Sequence, residues 1–212
     1  MRNSILNKNS KFYPAVFAAF LFAVIVSSFL AAERKCIISS GDTLLRQENL
    51  LERDQDWKKI DSAYFTIYMR PDADLKSMEK KLRKRSFFFS AKPAPSYLKD
   101  YEEKIAYRTD IIFNKAKQLL GMAPRCKDIK IVVFRNSREL GDEYYYIFGE
   151  KRKYQAFYIH KFRTIYTTEA DISDSVLAHE MGHVIVDHYF IVRPPEKIRE
   201  MLSIYVDEHL ED

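Results

Sequence analysis

Ala178-His179-Glu180-Met181-Gly182-His183 places two histidines four residues apart, with a glutamate directly after the first. On a helix, side chains at i and i+4 leave from one face, so His179 and His183 can hold one ion between them. The flanks have a helical pattern: Ile172, Val176 and Leu177 before the motif, and Val184 and Ile185 after it, predict a helix over 171–190 with a buried side. Zinc suits such a pair, because it takes a few nitrogen and oxygen ligands at about 2.0–2.2 Å and, in a catalytic site, keeps one position for a water whose pKa it brings toward roughly 7. Glu180 stands beside the first ligand, where a carboxylate can take a proton from that water and pass it to a leaving amine. The stretch therefore supplies two ligands and a base, and lacks one ligand. Two surface histidines on an ordinary helix are the competing reading, and the apolar flanks argue against it.

Several residues downstream are candidates for the missing ligand. The arrangement H-E-x-x-H-x-x-G-x-x-H requires glycine at position 186 and histidine at 189, where this chain has Val186 and Tyr189, so that class is excluded and His188 falls out of register. Asp187 would continue the stripe of the same helix, but the next turn of a straight helix does not reach around an ion, which suits a carboxylate that supports a ligand or a structural carboxylate better. Glu200 lies on a second helix expected over 194–210, opened by Pro194-Pro195, and can approach from another side to close a tetrahedral site.

His179-Glu180-Met181-Gly182-His183, followed after sixteen residues by Glu200-Met201-Leu202-Ser203-Ile204-Tyr205-Val206-Asp207, resembles the gluzincins. These are H-E-x-x-H metallopeptidases whose third ligand is a glutamate, and the likeness is to their peptidase MA-like domains. In that family the second helix often reads E-G-L-A-x-Y-x-E. Glu200, Leu202, Tyr205 and Asp207 fall on its first, third, sixth and eighth positions, while Met201 departs from the usual glycine. The resemblance implies Glu200 as third ligand, Asp207 as the carboxylate that hydrogen-bonds a ligand histidine and fixes its tautomer, and Tyr205 as a residue that either lines the site or packs. It also implies a zincin-like α+β fold, with a small mixed sheet, an active-site helix carrying the motif and a following helix carrying Glu200.

Upstream, the pattern agrees with such a fold. Ala63 to Tyr68 alternates and is rich in β-formers before the turn residues Arg70-Pro71-Asp72, which predicts the first strand. Helices are expected over 74–85 and 96–120, the second closed by Gly121 and Pro124; Asp128 to Phe134 reads as a buried strand, Ser137 opens a short helix, and residues 155–159 and 164–167 read as a hairpin. Residues 36–59, dominated by charge, read as a spacer, and 60–212 as the metallopeptidase domain.

Ala15 to Ala32 carries no charge, follows Arg2, Lys8 and Lys11, and precedes Glu33-Arg34-Lys35. About 18 apolar residues are just sufficient to span a bilayer, so residues 1–35 read as a signal peptide or an N-terminal membrane anchor built on 14–32. Either outcome exports the remainder to the periplasm or another extracytoplasmic space. There Cys36 and Cys126 would meet oxidising conditions, as a bridge or as two free thiols. The formal charge of +5 falls to +2 without the three N-terminal basic residues, and the run Lys80-Lys81-Leu82-Arg83-Lys84-Arg85 lacks interleaved base-stacking residues, so it reads as a solvated helix face with no nucleic-acid partner. The expected function is a zinc peptidase acting on peptide or protein substrates. The alternative is an exported module that binds metal without catalysis, since no oxyanion donor other than zinc can be named.

Overall fold

The computed structural model describes residues 56–82 and 95–211. Lys58–Asp61 (β1), Phe65–Met69 (β2), Leu75–Leu82 (α1), Tyr101–Leu120 (α2), Ile129–Phe134 (β3), Ser137–Phe148 (α3), Ala156–Ile159 (β4), Thr164–Thr168 (β5), Asp174–Tyr189 (α4) and Glu196–Glu208 (α5) follow one another, with a 3-10 turn at His160–Phe162. The strands form one mixed sheet in the order β1-β2-β3-β5-β4. β2, β3 and β5 run parallel and the two edge strands run antiparallel to their neighbours.

The central strand explains the layering. Ile129, Ile131 and Val133 point into one core with residues of α1, α2, α4 and α5, while Val132 and Phe134 point into a second core with Leu140, Tyr144 and Ile147 of α3. A strand covered on both faces reads as a near-continuous apolar run rather than a clean alternation, which is why Ile-Lys-Ile-Val-Val-Phe was legible as buried. α2 ends where Gly121 takes a left-handed φ of 61°, its backbone N–H turning back to the carbonyls of the last turn. α3 starts at Asn136, whose side chain accepts from the N–H groups of Arg138 and Glu139.

The fold is thus α+β with a mixed sheet, as expected, and the differences are local. The strand expected first is β2; β1 precedes it, beginning inside the stretch read as a spacer. Lys58-Lys59-Ile60-Asp61 buries only Ile60, so an edge strand with three charged residues in four gives no strand signal. The helix expected from 96 begins at Tyr101. Lys81 is more than a solvated charge, because its ammonium donates to the carbonyls of Glu169 and Ala170 ahead of α4. The apolar segment 14–32, Cys36, the spacer up to residue 55 and Arg83-Lys84-Arg85 lie outside the described residues. Among those described, no helix is long and apolar enough to cross a membrane, and Cys126 is a half-buried free thiol whose burial pushes its pKa up to about 11.

Candidate metal centre

α4 and α5 form a helical pair whose contact is the most extensive between any two elements. Ser173 opens α4 by accepting the N–H of Val176. α4 ends at Tyr189, the chain turns over residues 190–195, and Pro195, with φ fixed at −54°, leads into α5. The two helices cross so closely that a Cβ on Gly182 would lie 2.8 Å from the Cα of Ser203 and 2.9 Å from its Oγ. Glycine inside the motif therefore serves the packing: it lets α5 approach until Glu200, just short of one turn before Ser203, reaches the histidines.

The three residues converge. Nε2 of His179 lies 3.6 Å from one carboxylate oxygen of Glu200, and Nε2 of His183 lies 3.4 Å from the other. One ligand atom from each of the three lies within 4.8 Å of the others. Ligands at about 2.1 Å in a tetrahedron are separated by about 3.4 Å, so this spacing fits a zinc-sized ion. His183 is buried, and that burial, then the neighbouring His179, lower its pKa to about 4. It is neutral near pH 7, the form that offers a nitrogen lone pair to a metal. The side chain of Glu200 is 47% exposed and that of His179 is 27% exposed, so the site opens to solvent on one side.

Glu180 is buried beside this group, and its carboxyl is pushed up to about 8, first by burial and then by the charge of Glu200. A hydrogen bond from the backbone N–H of Tyr158 in β4 opposes that shift. β4 is an edge of the sheet, and Gln155 and Ala156 at its start line a cleft together with Ser175, His179, Glu180 and Asp207. Asp207 accepts a hydrogen bond from the Ser175 hydroxyl, which ties α5 to the first turn of α4 beside His179. Tyr205 turns outward, stacking on His209 with ring centroids 4.1 Å apart, and is 42% exposed.

Asp187 is not one of the three converging residues, although its charge reaches His183 and opposes the lowering of that pKa. Its side chain is fully buried, paired with Arg193 at 2.6 Å and Arg199 at 3.5 Å, with Nδ1 of His160 at 3.9 Å. The end of α4 is thereby tied both to the turn and to the residue before Glu200. Removing one member of a buried pair costs about 3–5 kcal/mol, and the low end applies because Arg193 remains 45% exposed. Asp187→Ala is expected to lower the melting temperature by about 6–12 °C while the protein still takes up one zinc per chain, as read by calorimetry and elemental analysis. Equal loss of metal and of stability would show that Asp187 belongs to the ligand set.

Sequence patterns picked out His179, Glu180, His183 and Glu200, which the structure brings together, and the resemblance added Asp207, which lines the same cleft with the Ser175 hydroxyl as its partner. They missed the Gly182–Ser203 crossing, the arginine clamp on Asp187 and the Tyr158 N–H on Glu180, all of which pair residues distant in sequence. The only trace was compositional, a glycine between two ligands and two arginines flanking the turn. His188, already out of register, is held elsewhere, within 2.7 Å of the Tyr158 hydroxyl. Compared with protein-family models, with curated proteins and with solved structures, the chain matches none.

Proposed function

We propose that this chain is a zinc-dependent peptidase of the gluzincin type on a zincin-like fold, exported and held at a membrane by residues 14–32. The observation that carries the reading is the convergence of His179, His183 and Glu200 at the spacing of a tetrahedral ion, with a buried carboxylate, Glu180, next to it. Zinc held there supplies Lewis acidity, polarising a carbonyl and making water a better nucleophile near neutral pH. Glu180 takes the proton from the attacking water and returns it to the nitrogen of the departing amine, so the peptide bond is cleaved with no net change in the protein. Burial raises the affinity of that carboxylate for a proton, which favours its taking one from water. Asp207 is the proposed support for His179 from the neighbouring helix.

A peptide is the substrate class that suits the surroundings. β4 is the edge strand of the described sheet and its start, Gln155 and Ala156, lines the cleft, where an extended chain can add through main-chain hydrogen bonds that do not depend on its side chains.

Elemental analysis and zinc titration of the full chain test the metal site. Wild type is expected to hold one zinc, lost in His179→Ala, His183→Ala and Glu200→Ala, and bound about 10- to 100-fold more weakly in Asp207→Asn. Full zinc in Glu200→Ala with the fold intact would remove Glu200 from the site.

A further inference from the structure

The turn between α4 and α5 exposes apolar residues that nothing in the proposed reaction uses. Ile191 is 94% exposed and Val192 is 81% exposed, following Tyr189 and Phe190, which stack edge to face with centroids 5.1 Å apart. The outer face of α5 continues the surface: Ile198, Met201 and Ile204 are all exposed, opposite the Ser203 and Val206 side that packs on α4. Exposed apolar residues gathered on one turn and on the helix it leads into mark an interaction site. The backbone beneath it is firmly held, because Asp187 clamps Arg193 and Arg199 on either side of the turn.

We infer that this turn and the outer face of α5 form a membrane-contact surface that dips into the interfacial layer of a lipid bilayer. Three observations favour a bilayer over a second protein. Its two most exposed residues, Ile191 and Val192, lie side by side on the turn, and so small an apolar element can enter a fluid lipid phase, whereas an isologous contact between copies needs a broad self-complementary face. Its composition is that of an interfacial anchor, with aliphatic residues on the turn, Tyr189 and Phe190 just before them, and Lys197 exposed on the first turn of α5, where anionic headgroups can meet it. Finally, only 25 residues separate the apolar stretch ending at Ala32 from β1, a reach of at most about 90 Å. That length sets an upper limit on how far the domain can be from any bilayer that the stretch enters.

The inference rests on the membrane reading of residues 14–32 and not on catalysis, and the test separates the two. The full chain, with Cys36→Ser, Cys126→Ser and Ile191→Cys, is labelled with an environment-sensitive fluorophore and reconstituted into vesicles of phosphatidylcholine and phosphatidylglycerol carrying a lipid-borne quencher. Tyr145→Cys, on α3 across the sheet and exposed, serves as the reference position. The label at 191 is expected to shift to the blue and to be quenched several-fold more than the label at 145, and Val192→Glu is expected to abolish that difference. Equal weak quenching at 191 and 145 overturns the inference. So does a label at 191 that is shielded from aqueous iodide, unquenched by lipid and cross-linked between chains in a concentration-dependent way, which would identify a second copy as the occupant. Resistance of the vesicle-bound chain to carbonate extraction reports on residues 14–32 independently. Loss of that resistance with quenching at 191 retained would refute the anchor and leave the contact surface standing.

Discussion

Glu180→Gln is expected to keep the fold and the full zinc content while lowering peptide hydrolysis by about a hundred- to ten-thousand-fold, the usual contribution of a general base. The amide occupies nearly the same volume and can still accept the Tyr158 N–H that the carboxylate now takes. It cannot take a proton from water. Because the residue is buried and not one of the three converging ligands, the loss should fall on turnover, with substrate affinity nearly unchanged. Stability gives a second readout. A carboxyl held neutral by burial favours the folded state below its unfolded pKa, and that advantage disappears as pH rises through about 8. Metal-free wild type should therefore lose stability relative to the uncharged glutamine variant as pH rises from about 4.5 to about 8. A peptide-library assay on zinc-loaded protein decides the matter. Equal rates in Glu180→Gln and wild type would refute general-base catalysis by Glu180 even with the metal site intact, and a zinc-loaded wild type that cleaves nothing would favour the metal-binding module.

The parts of the site that were legible in sequence are those fixed by a single helix or by chain order. The spacing of His179 and His183 is a property of helical periodicity, and the proline pair before Glu200 marks the start of another helix. The angle at which that second helix crosses the first is set by packing between residues twenty-one positions apart, Gly182 and Ser203, and leaves no periodic trace. Asp187 shows the same limit. Its place on the stripe identified it as no ligand, but its two arginine partners come from the turn and from α5, and only the folded chain brings them together. β1 was missed for a different reason. An edge strand protected by lysines and an aspartate has the composition of a linker, and its identity comes from its pairing with β2.

Gly182→Ala is expected to destabilise the protein by about 2–3 kcal/mol and to weaken zinc binding with it, although alanine is the better helix former. Two effects of opposite sign compete. Replacing glycine inside a helix gains about 1 kcal/mol from propensity. Against that, the new methyl group would sit 2.8 Å from the Cα of Ser203, and backbone cannot swing aside as a flexible side chain can. α5 must then move outward, and Glu200 moves with it, away from His179 and His183. Gly141 provides the internal control, since a Cβ there meets nothing within 4 Å. Gly141→Ala, within α3, should stabilise by about 0.5–1 kcal/mol, as propensity alone predicts. Adding Ser203→Gly to Gly182→Ala should restore only part of the loss, because it removes the contacts to Oγ and Cβ at 2.9 and 3.1 Å but leaves the one to Cα. Denaturant unfolding and zinc titration on the four proteins read both quantities. If Gly182→Ala is stabilised as Gly141→Ala is, the helices do not cross at this distance, and the placement of Glu200 at the metal loses its structural basis.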